Sequence, residues 1–172
     1  AHVPRDAAEY EAGVSALWAL PYREGRYVAI GFACRHRAFI TPDRLPLYER
    51  MLREGGWWDV VDEIAPHLVG VQLKDHRAVI QPVLNRWVAD GDFWIRRSAL
   101  LAHLGHKAET DEATLFAHCR LLAHEKEFFI RKAIGWVLRD LGKRRPDAVR
   151  AFLAAHGDEL SGLSRREATK WL

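Results

Sequence analysis

The chain has 172 residues, 49% of them hydrophobic, with seven prolines and two cysteines. A chain of this length can bury a core as one domain without disulfides or metals, and this composition excludes a disordered protein. The longest apolar runs are too short to cross a bilayer and no targeting segment is visible, so we expect no membrane association. We interpret the distant cysteines, Cys34 and Cys119, as buried reduced thiols of a cytosolic protein.

The charge is unevenly distributed along the chain. The formal net charge is +3, yet the segment from Arg120 onward holds 12 Lys and Arg against 7 Asp and Glu. The first 119 residues hold the remaining 14 basic and 16 acidic residues. A basic C-terminal third beside a mildly acidic body indicates a surface that faces a polyanion, although a solvated basic face is the commoner arrangement.

Helical periodicity dominates the chain, and no segment alternates convincingly as a strand would. The pattern predicts helices near residues 6–18, 23–38, 43–54, 57–69, 75–89, 93–104, 110–124, 126–142, 146–156 and 164–172. Helix-breaking residues are predicted to divide the chain into helix-length segments, and they are Pro21, Pro42, Gly55, Gly56, Pro66, Pro82, Gly91, Gly105, Gly142 and Pro146. Thr41 is predicted to be an N-cap, and Ser164 with Glu167 fits a capping box that opens the last helix.

Aromatic-rich helix starts recur at a near-constant spacing. Trp57, Phe93 and Phe128 open similar segments, and successive starts are 36 and 35 residues apart. A period of this length is typical of stacked helix pairs, as in HEAT- and armadillo-like solenoids. The repeats therefore predict an all-α solenoid.

Trp58 and Asp62 are the first candidate site residues. Four residues apart on one helix, they share a face and can offer a flat apolar surface and a fixed negative charge to the same small object. An acidic side chain on a helix nevertheless more often faces solvent or caps a neighbour. The two residues lie beside a predicted core stripe made of Trp57, Val61, Ile64 and Leu68.

Trp136 is the third candidate. It shares a helix side with Phe129, Lys132 and Arg139, at i, i+3, i+7 and i+10 spacing. A tryptophan between a lysine and an arginine is poorly explained by core packing, although cation–π packing or a neighbouring helix would also account for it. The predicted core stripe of this helix is a separate set of residues, Ile130, Ala133, Ile134, Val137, Leu138 and Leu141.

Two adjacent arginines, Arg96 and Arg97, add a fourth candidate. Neighbouring positions on a helix point about 100° apart, so we expect only one of them to reach a concave face. An exposed, solvated arginine is the ordinary alternative for either residue.

Other kinds of site find little support. His103 with His106, and Cys119 with His124, lack the full ligand set of a zinc site, so we expect no metal. The chain has no glycine-rich phosphate loop and no nucleophile motif with a paired base, and we expect no cofactor.

Four segments together resemble the AlkD family of DNA alkylation repair glycosylases. They are WWDVVD at 57–62, WIRR at 94–97, EFFIRKAIGWVLR at 127–139 and LSRREATK at 163–170. The likeness extends from about Leu17 to the last residue. It implies a right-handed superhelical solenoid of HEAT-like helix pairs whose concave, basic face cradles duplex DNA.

The resemblance also implies an activity and assigns residues to it. The activity is hydrolysis of the N-glycosidic bond of cationic alkylpurines, of the 3-methyladenine and 7-methylguanine type, in base excision repair. Asp62 takes the place of the catalytic carboxylate, Trp58 and Trp136 form the aromatic walls, and Arg97 rather than Arg96 stands beside them.

Further expectations concern partners and extent. Lys132, Arg139, Arg165 and Arg166 are candidate phosphate contacts that would give salt-dependent, sequence-independent affinity for DNA. The partner is double-stranded DNA with alkylated bases, bound by a cytoplasmic monomer that associates with the nucleoid. We expect residues 1–172 to form a single domain without one N-terminal repeat found in the family.

Two other functions stay open from the sequence. One is a non-catalytic HEAT-repeat protein that binds damaged or branched DNA, which the Trp58, Asp62, Arg97 and Trp136 set argues against. The other is a scaffold for protein partners, which predicts no salt-sensitive DNA binding and leaves the pairing of indole and carboxylate unexplained.

Overall fold

The computed structural model describes residues 3–172, so the first two residues of the predicted domain lie outside the described range. Within that range the secondary structure is entirely helical, which confirms the all-α prediction. No helix in this part of the chain is both long enough and apolar enough to cross a membrane. The helices are α1 Ala7–Trp18, α2 Arg23–Arg35, α3 Leu45–Gly55, α4 Trp58–Ile64, α5 Gly70–Asp75, α6 Arg77–Trp87, α7 Phe93–Leu101, α8 Glu112–Leu121, α9 Phe128–Gly142, α10 Pro146–His156 and α11 Gly162–Ala168.

The helices form two rows. In the central row, α2, α4, α7, α9 and α11 pack one against the next. The flanking row consists of α1, α3, α6, α8 and α10, which pack on central helices. A protein built this way buries a continuous core between neighbouring pairs, because a single pair cannot cover its own apolar face.

Contacts between successive pairs repeat at the spacing of the sequence motifs. The Trp18 indole N–H donates to Glu54 across 36 residues, and Arg97 donates to Asp62 across 35. Lys132 contacts Glu167, again 35 residues away. The period found in the sequence is therefore the register in which neighbouring helix pairs meet.

The core stripes were predicted well, with one exception. All six apolar residues predicted for the core face of α9 are buried, as are Val61, Ile64 and Leu68. Trp57 was wrongly predicted to be buried, since its side chain is 46% exposed. It precedes α4 in extended backbone, at φ −152° and ψ 151°, so it lies outside the helical stripe.

Two predicted breaks are wrong. Pro66 lies in a π-helical turn, Ala65–Val69, that joins α4 to α5 in one rod. A proline has no N–H for the α-helical hydrogen-bond ladder, and the rod widens there, with the Gly70 N–H donating to the Ala65 carbonyl five residues back. Pro82 lies inside α6, which continues past the proline to Trp87, with Ile80 and Leu84 buried on either side of it.

The predicted capping box is also wrong. α11 begins at Gly162, and Ser161 is its N-cap, accepting a hydrogen bond from the Ser164 N–H. The Ser164 hydroxyl instead donates to the Arg131 carbonyl of α9 at 2.9 Å. The helix therefore starts earlier than predicted. The Glu167 side chain does not cap it and instead contacts Lys132 and Arg139 of α9.

The cysteines are both free thiols. Cys119 is buried as predicted, whereas Cys34 is only partly buried. Burial raises the pKa of Cys34 to about 11 and raises the pKa of Cys119 as well, so neither thiol is activated as a nucleophile.

Candidate active site

Asp62 and Arg97 form a buried ion pair between α4 and α7. Arg97 Nε donates to Asp62 Oδ1 and Nη2 donates to Oδ2, both at 2.8 Å. The remaining Arg97 nitrogen, Nη1, donates to the Phe129 carbonyl at the start of α9. Such a bidentate, charge-assisted ion pair fixes the plane and orientation of the carboxylate.

The two members of the pair differ in exposure. The Arg97 side chain is 3% exposed, whereas that of Asp62 is 15% exposed and reaches the surface of a cleft. Arg96 pairs with Glu125 at 2.8 Å, and of the two adjacent arginines Arg97 is the one that lines this cleft.

A cleft of about 410 Å³ lies between α4, α7 and α9. We call it the cationic cleft, because Arg97, Lys132 and Arg139 line it together with Asp62. The remaining wall is aromatic and consists of Trp58, Phe128, Phe129 and Trp136. The structure thus brings together the four residues predicted to be catalytic and two of the four predicted to contact DNA.

A second cleft, of about 620 Å³, adjoins the cationic cleft. Trp58, Asp62 and Trp136 line both clefts. We call the second one the wide cleft. Its other described lining residues are Arg37, Glu63, Pro66, His67, Gly70, Val71, Lys74, Leu104, Gly105, His106 and Asp140.

The indoles present exposed surface to both clefts. Trp58 is 49% exposed at the first position of α4, one helical turn before Asp62. Trp136 is partly buried in the middle of α9, on a different face from the core stripe. An aromatic face of this kind attracts positive charge through its quadrupole.

Glu167 contacts two residues that line the cationic cleft, and the sequence analysis did not identify it as functional. Its Oε1 accepts from Lys132 Nζ at 2.8 Å, and its Oε2 accepts from Arg139. Lys170 adds a third contact, to Oε1 at 2.9 Å. Hydrogen bonds from Lys132 and Lys170 lower the pKa of Glu167 to about 2. One feature of the sequence could have identified Glu167, because it lies one repeat period, 35 residues, after Lys132.

Phe129 was likewise missed as a positioning residue. Its carbonyl accepts from Arg97, and its ring lies 5.8 Å from the Arg97 guanidinium carbon. The ring also packs on Trp57 and Trp94, with centroids 5.9 and 4.8 Å away. The aromatic helix starts that mark the repeats therefore build the wall behind Arg97.

Arg165 and Arg166 are not brought to the cationic cleft. Both are exposed on α11, and Arg165 pairs with Asp158 at 3.4 Å. The described lining of the cleft comes from other residues. Their contact with DNA stays a prediction.

His103, His106 and His118 form a buried cluster. His103 Nε2 lies 3.4 Å from His118 Nδ1, and His118 Nε2 lies 2.9 Å from the Asn85 side-chain oxygen. Burial lowers the pKa of His103 to about 3 and the pKa of His118 to about 4, so both rings are neutral at pH 7. Within residues 3–172, no three His, Cys, Asp or Glu side chains are placed to hold a metal ion.

The fold and the clefts together define a class, a helical-repeat protein in which a carboxylate, two indoles and several cations line two adjoining clefts. Among solved structures, a predicted DNA alkylation repair enzyme from Enterococcus faecalis is 29% identical, with a TM-score of 0.78 over 96% of this chain and 76% of that chain. The smu.31 protein of Streptococcus mutans UA159 is 16% identical, with a TM-score of 0.72 over 98% of this chain and 86% of that one, and shares the fold. A comparison with curated proteins gave no match.

The family model of the DNA alkylation repair enzymes matches residues 1–172. The chain therefore belongs to the DNA alkylation repair enzyme family, and its resemblance to such proteins, predicted from the sequence, is confirmed. Membership of this family implies that the substrate is DNA.

Proposed function

We propose that this protein is a DNA glycosylase that hydrolyses the N-glycosidic bond of cationic alkylated purines in duplex DNA, with 3-methyladenine and 7-methylguanine as typical substrates. The observation that carries this proposal is the Asp62 carboxylate, fixed by buried Arg97 where Trp58 and Trp136 face the same clefts. It would act in base excision repair, as a cytoplasmic monomer that binds to the nucleoid.

The chemistry of the lesion explains why one carboxylate suffices. Alkylation places a positive charge on the purine, so the base leaves as a neutral molecule and needs no general acid to protonate it. The remaining barrier is the positive, oxocarbenium-like sugar, which a fixed carboxylate stabilises. At an effective dielectric constant near 20, opposite unit charges about 4 Å apart attract by about 4 kcal/mol.

That attraction is large enough to matter for the rate. Each decade in rate corresponds to about 1.4 kcal/mol, so part of the attraction to Asp62 supplies roughly two to three decades. The water oxygen bonds to C1′ of the sugar while the C1′–N bond breaks and its electron pair goes to the purine. Asp62 accepts the proton released by the water and passes it to solvent.

Arg97 leaves Asp62 able to do this. Each carboxylate oxygen accepts one hydrogen bond from Arg97, and an ionised carboxylate has about four lone-pair sites, so acceptor capacity remains on the cleft side. The arginine orients Asp62 from behind and stays buried, away from the sugar.

The surroundings of Asp62 suit a charged nucleotide. The faces of Trp58 and Trp136 favour the developing positive charge by about 1–2 kcal/mol in a desolvated cleft. Lys132 and Arg139 line the same cleft and are placed for DNA phosphates, which give affinity that falls with salt.

The test compares release of free 7-methylguanine from a defined methylated duplex by the parent and by Asp62→Asn. We expect the variant to lose at least about two decades in excision rate. Its affinity for DNA should be equal or higher, because a negative charge has been removed from the DNA-binding surface. Glu24→Gln is the matched control, since Glu24 is an exposed carboxylate on α2 that lines neither cleft, and its replacement should leave the excision rate unchanged.

Excision by Asp62→Asn at the parent rate would refute the assignment of Asp62. A parent that releases no base but binds DNA with a clear salt dependence would support the non-catalytic DNA-binding alternative. If the parent neither releases base nor binds DNA, the result would support the alternative function as a scaffold for protein partners.

A further inference from the structure

The cationic cleft contains an electrostatic conflict. Lys132 and Arg139 line it together with Asp62, and both are long, flexible cations. Opposite charges in a partly desolvated cleft attract strongly, so these side chains would be expected to turn towards the carboxylate. An Asp62 paired with them would have less charge to offer to the sugar.

In the structure, both cations turn away to Glu167. Lys132 binds one oxygen of this carboxylate at 2.8 Å, and Arg139 binds the other. The Glu167 side chain is only 9% exposed, whereas that of Lys132 is 39% and that of Arg139 is 22% exposed. Glu167 is therefore the most buried member of this ion-pair cluster, and the more exposed Lys132 and Arg139 bind to it.

The backbone around Glu167 is held tightly against α9. A Cβ added at Gly135 would lie 2.4 Å from the Glu167 Cβ and 2.8 Å from the Ser164 carbonyl oxygen. Glycine is therefore needed at the residue before Trp136 for α11 to approach so closely. The Ser164 hydroxyl donates to the Arg131 carbonyl and ties the same turn of α11 to the first turn of α9.

We propose that Glu167 is a positioning residue that holds Lys132 and Arg139 away from Asp62, so that Asp62 keeps Arg97 as its partner and presents its charge to the sugar. This inference rests on the glycosylase function proposed above. A lysine has three donors and an arginine five, so both cations keep donors for DNA phosphates while they contact Glu167.

The proposed role of Glu167 predicts tighter DNA binding together with slower excision when Glu167 is replaced, a combination that a general loss of structure would not produce. In Glu167→Gln, Lys132 and Arg139 lose their carboxylate and become available to Asp62 and to phosphates. DNA binding should tighten, and the slope of log affinity against log salt should steepen by about 0.9 for each additional phosphate that these cations neutralise. Excision by the bound enzyme should slow by about tenfold or more, as when other charge-stabilising groups are disturbed.

The experiment measures the two quantities separately. Single-turnover release of 7-methylguanine at saturating enzyme gives the rate of the chemical step, and binding to an undamaged duplex at several salt concentrations gives affinity and slope. Lys170→Met is the matched control, because Lys170 contacts the same carboxylate but does not line the cationic cleft. This control should keep the parent excision rate.

A second variant protects the test against a loss of folding. Lys132→Met combined with Glu167→Gln removes one of the two cations that would compete for Asp62 and relieves the repulsion left by the lost acid. Its excision rate should recover towards that of the parent, whereas a scaffolding role for Glu167 gives no recovery.

The results distinguish the two proposals. If the parent excises the base and Glu167→Gln excises it equally fast, this inference is wrong and the glycosylase function stands. Weaker binding and slower excision together, with no recovery in the double variant, would also overturn it. If the parent releases no base, the proposed function itself fails.

Discussion

Asp62 and Glu167 occupy comparable places in the repeat and have opposite environments. Each meets a cation on a neighbouring central helix at a separation of 35 residues. Asp62 has one guanidinium on one side and lines two clefts on the other. Glu167 is bonded by Lys132, Arg139 and Lys170. The number of cationic partners, and the side from which they bind, decide which of the two carboxylates remains accessible from a cleft.

Under the proposed function, the comparison also gives a reason for the presence of two acids. A solenoid that brings several cations to one face for DNA creates competition for any acid on that face. Arg97 cannot compete further, because its three nitrogens donate to Asp62 and to the Phe129 carbonyl behind the cleft. The more exposed Lys132 and Arg139 are bound by Glu167.

The largest expected effect comes from removing the partner of Asp62. Arg97→Met leaves the carboxylate without its guanidinium and the Phe129 carbonyl without its donor. Breaking a buried pair from one side costs about 3–5 kcal/mol, so the free energy of unfolding should fall by about 3 kcal/mol, near the low end because Asp62 reaches the cleft surface. Denaturant unfolding monitored by circular dichroism measures it.

Lys170→Met provides the contrast for that prediction. It removes one of three cations from Glu167 and is half exposed, so the free energy of unfolding should change by less than about 1 kcal/mol. Similar losses in the two variants would contradict the difference drawn between the two acids.

A smaller effect is expected at the contact between α9 and α11. Gly135→Ala would place a methyl group against Glu167 and the Ser164 carbonyl, and overpacking of this kind costs about 1–3 kcal/mol. Thermal unfolding should show a lower melting temperature. In Gly31→Ala, a control within α2, the added carbon meets nothing within 4 Å, and alanine should stabilise the helix by about 0.5–1 kcal/mol. Two variants of equal stability would contradict the close approach of α11.

The smallest expected effect is the dependence of the free energy of unfolding on acidic pH. The pKa of Glu167 is about 2 in the folded protein, against an ordinary value of 4.5, so its ion pairs contribute full stability above pH 4.5. This contribution is lost as the pH falls from 4.5 towards 2, by about 1.4 kcal/mol per pH unit. The difference in unfolding free energy between the parent and Glu167→Gln should therefore narrow by about 1 kcal/mol from pH 5.5 to pH 3.5.

The histidine cluster does not obscure that measurement. The parent and Glu167→Gln contain the same buried His103 and His118, so the acid sensitivity of these rings cancels in the difference. A difference that stays constant with pH would mean that Glu167 has an ordinary pKa and weaker partners than the structure gives it.

Periodic features of the sequence predicted the fold and part of the site. The 35-residue recurrence gave the helix pairs, and the i, i+4 spacing of Trp58 and Asp62 placed them on one face. The choice of Arg97 over Arg96 came from a family resemblance, because two adjacent helical residues cannot be ranked from spacing alone. The catalytic roles of these residues stay predictions until the excision assay is made.

The misses share a physical cause, which is tertiary packing overriding local preference. Glu167 has good capping-box spacing after Ser164, but the chain enters α11 at Ser161 and the acid meets cations far away in sequence. Pro66 is a helix breaker locally, yet a wider turn carries the rod past it. Neither outcome can be predicted from a window of neighbouring residues.

The near-constant register of contacts has a consequence for motion. In a linear array of helix pairs, each pair is stabilised mainly by its nearest neighbours. Within the central row, α11 packs chiefly on α9. Each time this contact opens, Lys132 and Arg139 lose Glu167 and become free to neutralise Asp62. Under the proposed function, the charge that Asp62 offers to the sugar is therefore coupled to the local unfolding equilibrium of a helix that does not line the cationic cleft.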